Sequence, residues 1–183
     1  MFGPDSEPVT LKRDVDVTLV PDGYPVTLRV DNLVYITQAM GGSFTIYFEG
    51  NLFRVGGIDA DALGKEPIQP PALPTDVSDD EFDTVVWDQM KTVYDPEIPI
   101  NIVDLGLIYD CRVSRLPDGQ RYVYVEMTLT APGCGMGDIL VQDVREKVGI
   151  IPTVAKVDVE LVLDPPWNQS MMSEAAQLEA GLL

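Results

Sequence analysis

Apolar and polar residues alternate in five short runs near the start of the chain: VDVTLV (15–20), VTLRV (26–30), LVYIT (33–37), FTIYF (44–48) and LFRV (52–55). The segments between them, PDGY, DN, MGG and EGN, are rich in residues that supply turn conformations. The pattern therefore predicts consecutive antiparallel strands. An isolated meander exposes two edges and an apolar face, so closure into a small barrel or packing into a sandwich is expected. Asp59 and Asp61 follow in GGIDADALG (56–64), which lacks the further oxygen ligands and spacing of a calcium loop and reads as an acidic loop.

The segment PIQPPALPTDV (67–77) carries Pro67, Pro70, Pro71 and Pro74, which block helix and sheet alike and predict a semi-rigid linker. The expected organisation is a β-rich domain over 1–66, this linker, and a second domain over 78–183. In the second domain the hydrophobic period changes to that of a helix. SDDE (78–81) is a capping-box sequence, and Phe82, Val85, Val86, Met90 and Val93 recur on one helical face, with Trp87 toward its edge. Asp95-Pro96 ends that helix, because the residue before proline is driven out of the helical region.

Strands are predicted at LIYDCRV (107–113) and YVYVEMTLT (122–130), joined by the turn LPDG (116–119). Alternation places Leu107, Tyr109, Cys111 and Val113 on one face, so Cys111 reads as a small buried hydrophobe. APGCGMGD (131–138) leads into a helix marked by Ile139, Leu140, Val144 and Val148 and stopped at Gly149. A last strand, VAKVDVELVL (154–163), turns Val157, Val159, Leu161 and Leu163 one way, and SEAAQLEA (173–180) reads as a short amphipathic helix. The order helix, strand, strand, helix, strand predicts an α+β domain with a three-stranded sheet and packed helices.

Charge and cysteine usage narrow the chemistry. Twelve basic against 30 acidic residues give a formal charge of −18, which disfavours nucleic acid and anionic membrane; keeping the chain soluble is the plainer explanation, and a partner with a basic face the functional one. No apolar stretch reaches membrane-spanning length and MFGPDSEPVTLKRD resembles no signal segment, so a cytoplasmic protein is expected. Histidine is absent, which removes Ser-His and Cys-His catalysis, Cys-His zinc sites and Rieske-type ligation. Two cysteines, Cys111 and Cys134, are too few for a disulfide framework or a four-cysteine metal site within one chain.

Cys134 lies between Pro132-Gly133 and Gly135-Met136-Gly137, ahead of a helix. Glycines let backbone amides approach whatever the sulfur holds, and the positive end of a helix dipole favours thiolate. The same residues equally fit an inert small side chain in a tight turn. Met136 reads as the first apolar residue of the helix rather than a thioether ligand. A thiol enzyme would need a base that the sequence does not show, and no enzymatic activity is expected.

Three ordered stretches, DPEIPINIVDLGLIYD (95–110), MTLTAPGCGMGD (127–138) and DPPWN (164–168), resemble the MIP-type or PaaD-like domain of metal-sulfur cluster assembly factors. The preceding GGSFTIYFEGNLFRVGGIDADALG resembles the N-terminal extension of SufT-type proteins. This resemblance implies a fold like the C-terminal domain of NifU and a non-enzymatic role as carrier or adaptor between an iron-sulfur scaffold and client apoproteins. It implies a cluster function for Cys134 and a supporting pocket of Asp95, Glu97, Asp104 and Thr130, with Gly133 and Gly135 flanking the thiol. DPPWN (164–168) reads first as a rigid turn that packs Trp167 over the sheet, with Trp167 as a partner anchor the alternative. The chain departs from the commonest loop form in Ala131-Pro132-Gly133 before the cysteine and Gly135 in place of a proline after it, which touches loop stiffness more than thiol chemistry. There is no C-x-x-C, in contrast to NifU-like scaffolds. Since clusters are ordinarily held by four thiolates, a labile cluster on Cys134 must be shared with a second copy in a homodimer, with small thiols or with a partner's cysteines. A metal-free adaptor is the alternative.

Overall fold

The computed structural model describes residues 5–95, 98–133 and 135–183. The chain forms two compact units, Met1–Gln69 and Pro70–Leu183.

In the first unit, β1 (Glu7–Thr10), β2 (Val15–Val20), β3 (Pro25–Leu28), β4 (Leu33–Met40), β5 (Ser43–Phe48) and β6 (Asn51–Val55) make one antiparallel sheet of order β1-β4-β5-β6-β2-β3. Two features differ from the predicted five-strand meander. There is a sixth strand, β1, whose sequence EPVT has no alternation to announce it; Pro8 is tolerated because β1 is an edge. β3 and β4 do not pair, because β1 occupies that side of β4 and β2 turns back onto β6. All six strands are joined in one continuous hydrogen-bonded sheet. Leu11, Val15, Val17, Val34, Ile46, Phe53 and Val55 fill its core together with Ala60, Ala62 and Leu63. Those last residues belong to a 3-10 turn, Gly57–Leu63, where the sequence suggested a loop. Asp59 and Asp61 of this turn are held by the Arg13 guanidinium, at 2.8 and 2.6 Å.

In the second unit, α1 (Asp79–Met90) and α2 (Gly137–Gly149) share a core with one face of a three-stranded sheet. The sheet is β7 (Ile108–Arg115), β8 (Arg121–Met127) and β9 (Val154–Leu161), with β8 central, antiparallel to β7 and parallel to β9. A short α3 (Glu174–Glu179) follows. Leu73 and Val77 of the proline-rich segment also pack on this core, so its second half is anchored to the unit it precedes.

α1 begins where the capping box predicts. The Ser78 hydroxyl accepts from the Glu81 amide at 3.3 Å, and the Glu81 carboxylate accepts from the Ser78 amide at 2.8 Å. Phe82, Val86 and Met90 are buried and Val85 is partly buried, as the stripe requires, whereas Val93 is buried beyond the end of α1, which stops at Met90 and not just before Asp95-Pro96. Ser78→Ala removes one acceptor and is expected to lower the stability of this unit by about 1 kcal/mol, read as a lower midpoint in denaturant at unchanged slope.

β8 keeps strict alternation: Val123, Val125 and Met127 face the core, and Tyr122, Tyr124 and Glu126 face away from it. β7 does not. A bulge between Ile108 and Asp110 shifts the register, so Ile108, Cys111 and Val113 pack on the core while Tyr109 leaves it. The alternation that grouped Tyr109 with Cys111 fails at this one inserted residue. β9 ends at Leu161, which leaves Leu163 52% exposed instead of in line with Val157 and Val159.

Candidate functional site

Because β8 and β9 run parallel and β7 runs against them, the start of β7 and the ends of β8 and β9 lie at one end of the sheet. The three sequence motifs flank those termini, and hydrogen bonds join them. The Thr128 amide donates to the Leu107 carbonyl at 2.8 Å, and the Val162 amide donates to the Met127 carbonyl at 2.8 Å. The Trp167 indole N–H donates to the Leu105 carbonyl at 2.7 Å, and the Tyr109 hydroxyl donates to the Pro165 carbonyl at 2.7 Å. The DPPWN stretch is thus a clasp laid across the start of β7.

The acids of the first motif carry out local tasks. Asp95 is buried and its carboxylate accepts from the Ile98 amide at 3.2 Å. The Asp104 carboxylate accepts from the Asn101 side-chain amide at 2.6 Å, and its backbone amide donates back to the Asn101 side-chain oxygen Oδ1 at 2.9 Å. This is the turn chemistry that Asp and Asn supply. Trp167 is partly buried on the core with its one polar atom already bonded inside the fold, a geometry that the rigid-turn explanation accounts for. Gly106 adopts φ 76°, and a Cβ there would lie 2.2 Å from the Met171 carbonyl oxygen. The close approach of the 169–171 turn to the start of β7 therefore requires glycine.

The second motif ends β8 and opens α2. Thr130 is half-buried, Gly133 and Gly135 are exposed, and Gly133 has φ 77°. Met136 is buried as the N-cap residue of α2, which accounts for it as an apolar packing residue. A Cβ on Gly137 would come within 3.1 Å of both Leu129 and Leu161, so the helix start seats closely against the ends of β8 and β9. Cys134 and Glu97 lie outside the described residues, so the structure reports the segments bordering them and not their side chains. Among the described residues no group of three or more His, Cys, Asp or Glu side chains is arranged to hold a metal ion.

Cys111 packs on the core, and burial, followed by the charges of Asp83 and Asp110, pushes its thiol up to about 12. An unfolded cysteine ionises near pH 8.5. The folded state therefore retains a proton that the unfolded state loses, and its contribution to stability is present below about pH 8.5 and lost as pH rises toward 12. Cys111 is expected to resist alkylation in the native protein at pH 8 and to react in denaturant, measured by mass spectrometry of peptides after iodoacetamide treatment.

The family model described as an iron-sulfur cluster assembly protein matches residues 83–161. An Fe-S protein maturation auxiliary factor of Porphyromonas gingivalis is 51% identical over 94 residues, covering 51% of this chain and 86% of that protein. The chain belongs to the iron-sulfur cluster assembly protein family, SufT type. A second member, the Fe-S protein maturation auxiliary factor SufT of Staphylococcus aureus, is 39% identical over 90 residues, 49% of this chain and 98% of that protein. The solved structure of a domain of unknown function, DUF59, from Bacillus anthracis is 31% identical, covers 57% of this chain and 95% of that one, and has a TM-score of 0.49.

Tyr109, Glu126 and Gly106 were not among the site residues expected for a member of this family, yet they stand where its motifs meet. A signal for Tyr109 existed. Strict alternation would have set Ile108 in line with Asp110 and Arg112 on the polar face, and that conflict marks a bulge.

Proposed function

We propose that the chain is an auxiliary factor in iron-sulfur protein maturation that carries or hands over a labile cluster through Cys134. The observation that supports this reading is the joining of all three family motifs at one end of the sheet, the second of which contains Cys134 in its sequence. The auxiliary-factor names of relatives at 51% and 39% identity support the maturation role. One thiolate per loop is too few to close a cluster, so the remaining ligands come from a second copy, a small thiol or the recipient's cysteines, an incomplete set suited to transfer. Asp95 and Asp104 keep the loops at this end in place through their turn bonds. The test is anaerobic reconstitution with iron and sulfide, followed by transfer to an apoprotein, with Cys134→Ser beside the parent.

The formal charge of −18 favours a second reading, a metal-free adaptor that presents an acidic surface to basic partners. The metal content of protein isolated without air separates the two: iron and sulfide bound in proportion to Cys134 speak for the carrier, their absence for the adaptor.

A further inference from the structure

The outward face of the three-stranded sheet, opposite α1 and α2, ends in a cleft of about 630 Å³ at the motif end of the unit. It is lined by the apolar residues Ile108, Val162, Pro165 and Met171 and by the polar residues Tyr109, Glu126 and Asp164. Tyr109, the residue that the bulge in β7 leaves out of the register, is part of this lining. Tyr109 gives its only hydroxyl hydrogen to Pro165, which leaves the phenol oxygen free to accept.

The charged residues lining the cleft are both acidic, Glu126 and Asp164. Glu126 on β8 and Glu160 on β9 are direct neighbours across the two strands, an arrangement of like charges that destabilises a sheet. Both carboxylates face the Tyr124 hydroxyl, which has one hydrogen for the two of them. Arg112 makes its short contact with Asp110 at 2.6 Å and reaches Glu126 only at 3.5 Å. A cation entering from outside would complete this arrangement.

We propose that the cleft bounded by Tyr109, Glu126, Asp164 and Met171 receives an arginine or lysine side chain from a partner protein. Aliphatic stems lie well against apolar walls while the charged head reaches polar groups, and this cleft offers both in one place. Its volume falls within the range of about 300–1,000 Å³ typical of ligand clefts. The formal charge of −18 attracts a basic segment over distance, and the cleft supplies the specific seat. This inference gives the chemistry of a partner in the maturation role proposed above and rests on that role for the partner's biological identity.

The experiment is a nuclear magnetic resonance titration of the full chain with the peptide acetyl-Gly-Arg-Gly-amide, compared with the same peptide carrying citrulline, which keeps the shape of arginine without its charge. Expected are shifts concentrated at the backbone amides of Gly106, Ile108, Tyr109, Glu126 and Val162 for the arginine peptide and none for citrulline. The Glu126→Gln/Asp164→Asn variant, which keeps an acceptor for Tyr124, is expected to bind about tenfold more weakly at a melting temperature no lower than the parent's. Asp22→Asn, an exposed charge in the first unit, is expected to bind as the parent does. Equal shifts from citrulline, shifts spread over the acidic surface, or equal weakening by Asp22→Asn would overturn the proposal. Because this assay reads peptide binding and not iron, its failure leaves cluster handling by Cys134 untouched, and failed reconstitution leaves the cleft untouched.

Discussion

Replacing Cys134 by serine is expected to bring iron and sulfide bound after anaerobic reconstitution down to the level of a variant lacking both cysteines, and to abolish transfer to an apoprotein. Thiolate is the soft ligand these clusters require, whereas a serine hydroxyl stays protonated near neutral pH and is a poor substitute. The other cysteine offers no rescue, since burial keeps Cys111 protonated up to about pH 12 and places it on the core side of β7. Cys111→Ser is accordingly expected to reconstitute as the parent does. The exchange of sulfur for oxygen leaves the backbone unchanged, so the melting temperature should stay within about 3 °C of the parent. Indistinguishable visible absorbance and transfer by parent and Cys134→Ser would rule out a Cys134-ligated carrier and leave the adaptor.

Gly106→Ala is expected to have the largest effect on the fold. The residue sits at φ 76°, and the new Cβ would fall 2.2 Å from the Met171 carbonyl oxygen and 2.7 Å from its carbonyl carbon. Both atoms are backbone, so no rotamer change relieves the contact. A left-handed conformation for alanine and the overlap together should cost about 3 kcal/mol or more, a large part of a typical domain's stability. The turn at Gln169–Met171 would be pushed off β7, loosening the Trp167 bond to Leu105 and the Tyr109 bond to Pro165. A fall in melting temperature of roughly 10 °C or more, with red-shifted tryptophan emission, is the expected reading. A shift of less than about 3 °C would show that the turn yields easily and that the clasp adds little stability.

The clasp has a functional consequence as well. It closes one side of the cleft with Pro165 and Met171 and is bonded to the stretch that opens β7. Gly106→Ala is therefore expected to weaken the proposed partner docking as well as the fold.

The sequence by itself determined those elements whose signals are local. Ser78 and Glu81 set the start of α1 because a capping box is made within one turn. Val123, Val125 and Met127 set the inward face of β8 because a central strand under two helices must alternate. The composition, with no histidine and two cysteines, limited the chemistry before any fold was known. The glycine loop around Cys134 was readable as a thiol site only through its resemblance to a family, since the residues alone fit an inert turn equally well.

Tertiary structure decided what depends on neighbours distant in the chain. β1 becomes a strand because β4 offers it an edge, not because EPVT favours one. Tyr109 turns outward because a bulge inserts one residue into β7, and with a period of two a single inserted residue reverses which face follows. The need for glycine at 106 arises from Met171, 65 positions along the chain, whose carbonyl lies against it. Glu126 and Glu160 become a strained acidic pair only once β9 lies parallel to β8 in register. Local propensity acts over one turn of helix or a few strand residues, whereas a cleft is made by side chains that meet only after the sheet has closed.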